Sequence, residues 1–387
     1  MQFSDRTGSR ALNPIAQAQE EARRVGRKPI SLNDSNPTRH GLGLPELGVY
    51  AAEPRGPLQA RQALAEFLST DGSSVDPDDL YLLSSTSQAY SWLIKLMCNP
   101  SDIVLEPRPG YPLIESIAQL ECAQVRSYQL HYDGSWTLDL AQIRSILEGP
   151  QGERVRLLVL INPNNPTGSY IHPGEREQLL DLCREHDLAI IADEVFFDYP
   201  LEPLPGRKRL SGESRVLTFA LDGFSKMLAA PQAKVGWIRV SGPGESVQEA
   251  KSRLDLIADD YLPMSQLIAQ QIPELLAAVP AQTAKVGARC QSNLRVLTQA
   301  LAAQGCPVSL LRPEGGWNVL LRFPSVIDEN ELVERLIRQY GYTGQPGYFF
   351  DMTSNGYMAL SLLPEPVAFK AGLDAFLAAV DSFLGAQ

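Results

Sequence analysis

The chain has 387 residues, of which 44% are hydrophobic and 20% are charged, and its formal net charge is −11. This length exceeds one ordinary hydrophobic core and predicts two domains, while the composition is typical of a soluble globular protein. The acidic balance argues against a nucleic-acid partner. No run reaches the ~20 apolar residues of a membrane helix, so we expect no membrane partner either.

The cysteines point to a reducing environment. They are scattered, odd in number and free of any Cys-x-x-Cys pattern: Cys98, Cys122, Cys183, Cys290 and Cys306. This usage predicts buried free thiols and no metal site. The first ten residues lack the apolar centre of a signal peptide, and we therefore expect a cytoplasmic protein.

The N-terminal part is polar. It predicts a helix over residues 13–25, and residues 35–39 are expected to form a loop. A Pro-Gly cluster at 54–57 then precedes helical apolar spacing that ends at Leu68.

Short apolar strands alternate with helices from residue 81 to residue 220. Strands are predicted at 81–83, 103–106, 155–161, 188–192 and 216–220, and helices at 84–97, 139–147 and 173–186. This alternation predicts an α/β domain built on a mainly parallel sheet with helices on both faces.

The pattern changes in the C-terminal part. After a strand at 234–240 come helices at 246–263 and 264–304, the second divided by Pro273 and Pro280, then strands at 316–323 and 357–362 and helices at 328–340 and 367–384. These elements predict a smaller α+β domain. The expected division is residues 46–285 for the large domain and 286–387 for the small domain, with residues 1–45 packed on the small one.

Three consecutive strand ends carry polar groups. The strand at 155–161 runs into Asn162-Pro163-Asn164-Asn165-Pro166-Thr167-Gly168, the next ends in Asp193-Glu194, and the third leads into Gly223-Phe224-Ser225-Lys226. An amide, a carboxylate and an amine thus follow strand ends, where open α/β sheets bind ligands. The alternative for the first segment is an ordinary turn.

In this order and spacing, Asn-Pro-x-Asn-Pro-Thr-Gly, Asp-Glu-Val-Phe and Ser-Lys resemble motifs of the aspartate aminotransferase superfamily, the fold-type I enzymes that use pyridoxal 5'-phosphate (PLP). The resemblance runs from about residue 30 to the C-terminus. It implies an aminotransferase-like enzyme that holds PLP as an internal aldimine on Lys226, and a homodimer. The amino donor and keto acceptor are unidentified small molecules.

The resemblance also implies roles for the polar groups. Asp193, with Glu194 as the alternative, keeps the pyridine nitrogen protonated, Asn165 donates to the ring oxygen O3', and Tyr111 stacks on the ring. The alternative for Tyr111 is a packed turn residue.

Other residues match the family's phosphate site. Thr86 and Ser87 open a helix whose N-terminus suits a phosphate, although simple capping is the alternative. Ser225 and Lys234 are further phosphate contacts, and Tyr50 would reach the phosphate of the neighbouring subunit, unless it is a core or rim tyrosine.

The chain departs from the family pattern at five positions, the first of which is Ser85, where the family usually has a glycine. Phe196 stands where the family has a tyrosine, and Gly223 where it has a serine. Lys234 replaces an arginine, so it can neutralise a phosphate but cannot bind it bidentately. Ala359 replaces the arginine that binds the substrate α-carboxylate.

The alanine at position 359 leaves two possibilities for the substrate. Either the substrate lacks an ordinary α-carboxylate, or another cation binds it. Arg39 in the predicted loop is the first candidate for that cation, and Arg108 is the second.

Other functions remain open at this point. Another PLP reaction, such as that of a lyase, decarboxylase or cyclase, fits the same fold. A non-catalytic protein of this fold would not need both Lys226 and Asp193. A nicotinamide dehydrogenase is disfavoured because no Gly-x-Gly-x-x-Gly follows a strand.

Overall fold

The computed structural model describes residues 1–8, 13–69, 74–262 and 264–385. It contains an eight-stranded, mostly parallel sheet with helices on both faces and a separate four-stranded antiparallel sheet. The predicted fold class is therefore confirmed.

The large sheet is built from β1 (Leu80–Leu83), β2 (Ile103–Arg108), β3 (Gln124–Tyr132), β4 (Trp136–Leu138), β5 (Val155–Ile161), β6 (Ala189–Asp193), β7 (Thr218–Gly223) and β8 (Gly236–Ser241). Their spatial order is β1-β8-β7-β6-β5-β2-β3-β4. Strand β8 runs antiparallel to both of its neighbours, and β4 is antiparallel to β3.

The small sheet is built from β9 (Ser309–Leu310), β10 (Asn318–Arg322), β11 (Gln345–Pro346) and β12 (Tyr357–Ser361). All neighbours in its order, β11-β12-β10-β9, are antiparallel.

The helices of the described residues fall into two groups along the chain. The first group comprises α1 (Pro14–Arg24), α2 (Leu58–Leu68), α3 (Thr86–Met97), α4 (Leu113–Leu120), α5 (Leu140–Leu147), α6 (Pro173–Glu185) and the single turn α7 (Phe224–Met227). The second comprises α8 (Gly244–Tyr261), α9 (Gln266–Ala269), α10 (Ile272–Leu301), α11 (Glu329–Arg335) and α12 (Pro366–Leu384). A π-helical turn, Leu336–Tyr340, extends α11.

The large sheet is buried on both faces, which explains why its central strands are continuous apolar runs. Along β5, Val159 joins a cluster with side chains of α3, α4 and α8, whereas Leu158 and Leu160 join a second cluster with α5 and α6. Alternate residues of the strand therefore stabilise opposite layers.

Helix α10 joins the two domains, because it contacts α2 on one side and α12 on the other. Its Asn293 is fully buried and donates to the carbonyl oxygens of Leu362 and Pro364, each at 2.8 Å. These bonds fix the helix to the chain that leaves β12.

Three local predictions were confirmed only in part or were wrong. The helix predicted at 264–304 does divide near Pro273, because α9 ends at Ala269 and α10 begins at Ile272 with Pro273 in its first turn, where the missing N–H costs nothing. Pro280 lies inside the helix and does not divide it, because packing of α10 on both domains overrides the lost hydrogen bond. Cys122 is exposed rather than buried, since it follows the end of α4 with a positive φ of 60°.

Some elements fell outside the predictions. The sequence reading did not predict α4, β3 or β4, and β7 begins two residues later than expected. The last residue of the helix predicted at 246–263 lies outside the described residues, as does the stretch 9–12 of the N-terminal segment.

The domain boundaries remain a prediction. The first eight residues contact the large domain: Ser4 Oγ donates to Asn99 Oδ1 at 3.1 Å, and Arg6 Nη2 donates to the carbonyl of Cys98 at 2.7 Å. Among the described helices, none combines the length and apolar composition needed to cross a bilayer.

Candidate active site

The three polar strand ends meet at one edge of the large sheet. Strands β5, β6 and β7 are parallel neighbours, with Ile161 opposite Asp193 and Asp193 opposite Leu221. Because the carboxyl ends of parallel strands lie at the same edge, Asn165, Asp193 and Lys226 face one cavity.

Asp193 is the buried anion of this cavity, with only 9% of its surface exposed. Burial raises the pKa of its carboxyl group, while hydrogen bonds from Tyr90 and from the Val195 N–H act in the opposite direction. The Tyr90 hydroxyl donates to Oδ2 at 2.9 Å, and the Val195 N–H donates to Oδ1 at 3.3 Å. These two donors stabilise the ionised form at the base of the cavity.

Glu194, the alternative carboxylate, has a structural role. It is 1% exposed, and its Oε1 accepts from the Leu210 N–H at 2.7 Å. Its Oε2 lies 3.7 Å from Arg209 Nη1. Glu194 therefore anchors the segment before β7, and the structure places Asp193 rather than Glu194 in the cavity.

Lys226 lies in the single turn α7, directly after β7. Its Nζ is 5.3 Å from the ring centroid of Phe196 and 5.4 Å from that of Trp317. Burial lowers the pKa of this amine, and the charge of Asp193 opposes that change. A neutral amine is thus available at a lower pH than on an exposed lysine, as a nucleophile or base requires.

The backbone around Lys226 is held by a buried tyrosine. The hydroxyl of Tyr199, a residue that is 2% exposed, lies 2.8 Å from the carbonyl oxygen of Lys226 and 2.9 Å from that of Met227. The Tyr199 ring packs edge-on against Trp317 with centroids 5.1 Å apart.

The cavity beside Asp193, which we call the inner cavity, has a volume of about 270 Å³. Eight of the predicted site residues line it: Thr86, Ser87, Tyr111, Asn165, Asp193, Ser225, Lys226 and Lys234. The N-terminus of α3 forms one wall, and the first N–H groups of a helix have no intrahelical acceptor. This wall suits an anionic group.

Two glycines allow the backbones of this wall to approach closely. A Cβ at Gly236 would lie 3.2 Å from the carbonyl carbon of Ser85 and from the nitrogen of Thr86. A Cβ at Gly223 would lie 2.7 Å from the carbonyl oxygen of Val235. A serine at position 223, which the family has there, would therefore require the backbone at Val235 to shift.

A second cavity, the outer cavity, adjoins the inner one, with which it shares Tyr111, Asn165, Phe196 and Lys226. Its volume is about 550 Å³, and the small domain contributes Trp317, Asn318, Gln345 and Phe349. Asn318 Nδ2 donates to Asn165 Oδ1 at 2.9 Å. This bond occupies the amide oxygen of Asn165 and leaves its NH₂ group as the donor.

Two predicted site residues lie elsewhere in the single chain. Tyr50 is 40% exposed and bonds through its backbone to Thr38 and Asn36. Arg39 Nη1 lies 3.6 Å from Asp34 Oδ2, and the Arg39 side chain is about half exposed. Among the described residues, neither Tyr50 nor Arg39 lines the inner or the outer cavity.

Three residues of the site were missed from the sequence. Tyr90 and Trp317 occur in apolar stretches and are typical of core positions, and Asn318 begins a strand whose neighbours are apolar. The available signal was weak: the predicted helix at 84–97 places Tyr90 one turn after Thr86 and Ser87. Only the fold brings Tyr90 to a carboxylate 103 residues away.

Comparison with known proteins agrees with this geometry. The family described as "Aminotransferase class I and II" matches residues 51–363. The chain belongs to this family of transferases, as the sequence motifs predicted.

Two solved structures share the fold. That of tyrosine aminotransferase from Leishmania infantum has a TM-score of 0.78 at 18% identity, covering 97% of this chain and 99% of that one. That of cystalysin from Treponema denticola, which contains PLP, has a TM-score of 0.73 at 15% identity, covering 86% and 85%. These likenesses confirm the fold, and together with the family match they confirm the expectation of a fold-type I PLP enzyme.

A curated relative is similar over most of this chain. It is "Probable aminotransferase TAT1" from Arabidopsis thaliana, which is 26% identical over 310 residues. The alignment covers 76% of this chain and 66% of the relative. The chain thus spans about two thirds of the length of that protein.

The inner cavity fits PLP by the chemistry of its residues. The buried carboxylate of Asp193 suits a protonated ring nitrogen, the half-buried amine of Lys226 suits an aldehyde, and the α3 N-terminus with its hydroxyls suits a phosphate. Each part of the cofactor would thus have a complementary group in the inner cavity.

The Tyr90 hydrogen bond generates a prediction. Tyr90→Phe removes a donor that lowers the pKa of Asp193, so that pKa rises and the carboxylate ionises only at higher pH. PLP affinity is measured against pH by fluorescence quenching of the apoprotein. The pH below which affinity is lost should rise by about one to two units, which corresponds to the ~1.5–3 kcal/mol of a hydrogen bond to a charged group.

The matched control is Tyr128→Phe. Tyr128 is also fully buried, but its hydroxyl donates to the backbone carbonyl of Val159 at 2.8 Å. Its pH profile should match that of the parent. An equal shift in both variants, or no shift in Tyr90→Phe, would contradict the role given to Tyr90.

Proposed function

We propose that the protein is a PLP-dependent aminotransferase that moves an amino group from a small-molecule donor to a keto acceptor. The observation that carries this proposal is the placement of Asp193 and Lys226 in one cavity at the edge of the sheet. The family match supports it.

The two ionisable groups have complementary tasks. When bound, the cofactor supplies an electron sink for a bond broken at the substrate carbon. Asp193 holds a proton at the ring nitrogen through its buried negative charge. Lys226 would hold the cofactor through Nζ, and its neutral amine would accept and return a proton at the substrate carbon.

Other residues bind and orient the cofactor. Thr86, Ser87 and Ser225 offer donors to its phosphate, and Lys234 adds a positive charge. Tyr111 covers one face of the ring, and the NH₂ group of Asn165 donates to its ring oxygen. Phe196 lacks the hydroxyl of the family's tyrosine, so its ring excludes water beside Lys226 without adding a donor.

A different PLP reaction remains the alternative. A lyase, decarboxylase or cyclase would use the same cofactor site and differ in the bond broken. The alternatives separate in a single half-reaction, because only transamination leaves the cofactor as pyridoxamine 5'-phosphate.

We predict that the holoprotein, mixed with a panel of amino acids and amines, converts its cofactor to pyridoxamine 5'-phosphate with at least one donor. Asp193→Asn should retain the cofactor but lower this rate by several decades, because an amide does not keep the ring nitrogen protonated. Stopped-flow absorbance measures the rate of cofactor conversion, and chromatography identifies the product. Product formation without pyridoxamine 5'-phosphate would favour a lyase or decarboxylase instead.

Two substrate classes are compatible with Ala359. In the first, an α-amino acid binds with its carboxylate on Arg39 from the loop before β1. In the second, the substrate carries no carboxylate beside its amine. The side chain of Ala359 is 7% exposed and offers neither a charge nor a donor.

We further propose a homodimer with the sites at the subunit boundary. Large apolar side chains between residues 30 and 58 are exposed in the single chain: Ile30, Leu32, Leu42, Leu44, Leu47, Val49, Tyr50 and Leu58. So many exposed large apolar side chains within one segment are typical of an interface. In a dimer this segment would bring Tyr50 to the phosphate site of the partner.

We predict that analytical ultracentrifugation gives twice the 42.5-kDa mass of the chain. Leu42→Glu combined with Leu44→Glu should shift the protein towards monomer, because each places a charge in the buried interface. Leu120→Glu is the matched control, since Leu120 is 82% exposed on α4, outside that segment. A fully active monomer would rule the dimer out.

We also propose a cytoplasmic location. The five cysteines are free in the structure, and Cys98, Cys183 and Cys290 are buried. Unpaired thiols in these positions suit a reducing compartment.

A further inference from the structure

The outer cavity has neutral walls. Among its described lining residues, Lys226 is the only one with a charged side chain. Lys226 gives its nitrogen to the cofactor, so it does not serve as the countercharge of a substrate anion. Within the single chain, a carboxylate entering this cavity would lose water without gaining a positive partner.

The two arginines considered for that task are engaged elsewhere. Arg108 lies 3.5 Å from Asp351, 3.8 Å from Glu115 and 3.9 Å from Glu106, so three carboxylates surround its charge. Arg39 is paired with Asp34 at 3.6 Å. Neither lines the outer cavity among the described residues.

An apolar groove continues the outer cavity into the small domain. This small-domain groove has a volume of about 620 Å³ and shares Asn318, Gln345 and Phe349 with the outer cavity. Its walls come from β11, β12 and α12, and none of its described lining residues has a charged side chain. Ala359 lies on β12 in its wall.

Ala359 lies in the groove wall and stands where the family has the arginine that binds the substrate carboxylate. Ala359 is paired with Leu320 of β10 and with Gln345 of β11, in the middle of the small sheet. Its methyl group takes up less of the groove wall than an arginine side chain would. The same substitution thus removes a cation from the site and admits a longer apolar group.

We propose that the amino substrate is a primary amine with no carboxylate beside its amino group, and that its extended apolar substituent lies in the small-domain groove. The amine would meet the cofactor at Lys226, and the substituent would pass Asn318 and Gln345 between the two spaces. This proposal deepens the aminotransferase assignment and rests on it.

The groove predicts a dependence on chain length. Burial of one methylene contributes about 0.8 kcal/mol, which equals a three- to fourfold gain in affinity. Two added methylenes should therefore tighten binding about tenfold, until the groove is filled.

The test uses the holoenzyme and matched pairs that differ only by the α-carboxylate: 2-phenylethylamine with phenylalanine, pentylamine with norleucine, and heptylamine with 2-aminooctanoic acid. The rate constant divided by Kd is measured from the loss of the cofactor's visible absorption. Each amine should exceed its amino acid at least tenfold, and heptylamine should bind about tenfold tighter than pentylamine.

A variant pair locates the substituent. Ala368 lies in the groove wall on α12, and Ala371 is exposed on the same helix outside the groove. Ala368→Trp should abolish the gain from pentylamine to heptylamine, whereas Ala371→Trp should retain it. Equal behaviour of the two variants would overturn the place assigned to the substituent.

A binding measurement separates this proposal from the assignment of the reaction. Calorimetry of the holoenzyme should show 1-heptanol binding at least tenfold tighter than heptanoate, although neither reacts. If no amine or amino acid reacts, the aminotransferase proposal fails and this comparison still tests the groove. Tighter binding of heptanoate, or faster reaction of the amino acids, would overturn the substrate class.

Arg39→Ala completes the test. If the substrate lacks a carboxylate, this variant should leave every amine and amino acid of the panel unchanged. A selective loss of at least tenfold for the amino acids would assign a carboxylate to Arg39 and overturn the proposal.

Discussion

The site depends on a buried carboxylate that needs a positive partner. Asp193 lies at the end of a central strand and is 9% exposed, so that its ionised form is stable only with hydrogen bonds and a nearby cation. Tyr90 supplies one hydrogen bond, and Lys226 supplies the charge in the chain without cofactor. A protonated ring nitrogen would take over this electrostatic role once the cofactor binds, which couples cofactor binding to the charge of Asp193.

The large and small domains contribute to different parts of the site. The large domain provides the inner cavity, where three parallel strand ends and the N-terminus of α3 surround the cofactor site. The small domain provides most of the wall that a substrate meets, including Trp317, Asn318 and Phe349. The hydrogen bond between Asn318 and Asn165 joins the two parts. Cofactor binding and substrate choice therefore rest on different structural elements.

Several residues that line the inner cavity were predicted from the sequence, because they follow strand ends. Asn165, Asp193 and Lys226 each follow an apolar run, and parallel strands must bring such ends together. Tyr90 and Asn318 escaped prediction because their roles depend on contacts between residues more than 100 positions apart. The prediction that Pro280 divides the helix was wrong, because a long helix packed on two domains tolerates one missing hydrogen bond.

The most direct test of the account is borohydride reduction of the PLP-loaded protein, followed by peptide mapping. The account predicts one phosphopyridoxyl group per chain, on Lys226, because this amine is half-buried, has a lowered pKa and shares the inner cavity with Asp193. Lys226→Ala should carry none, although Lys234 still lines the same cavity. Modification of Lys234 in the parent protein, or no modification at all, would contradict the account.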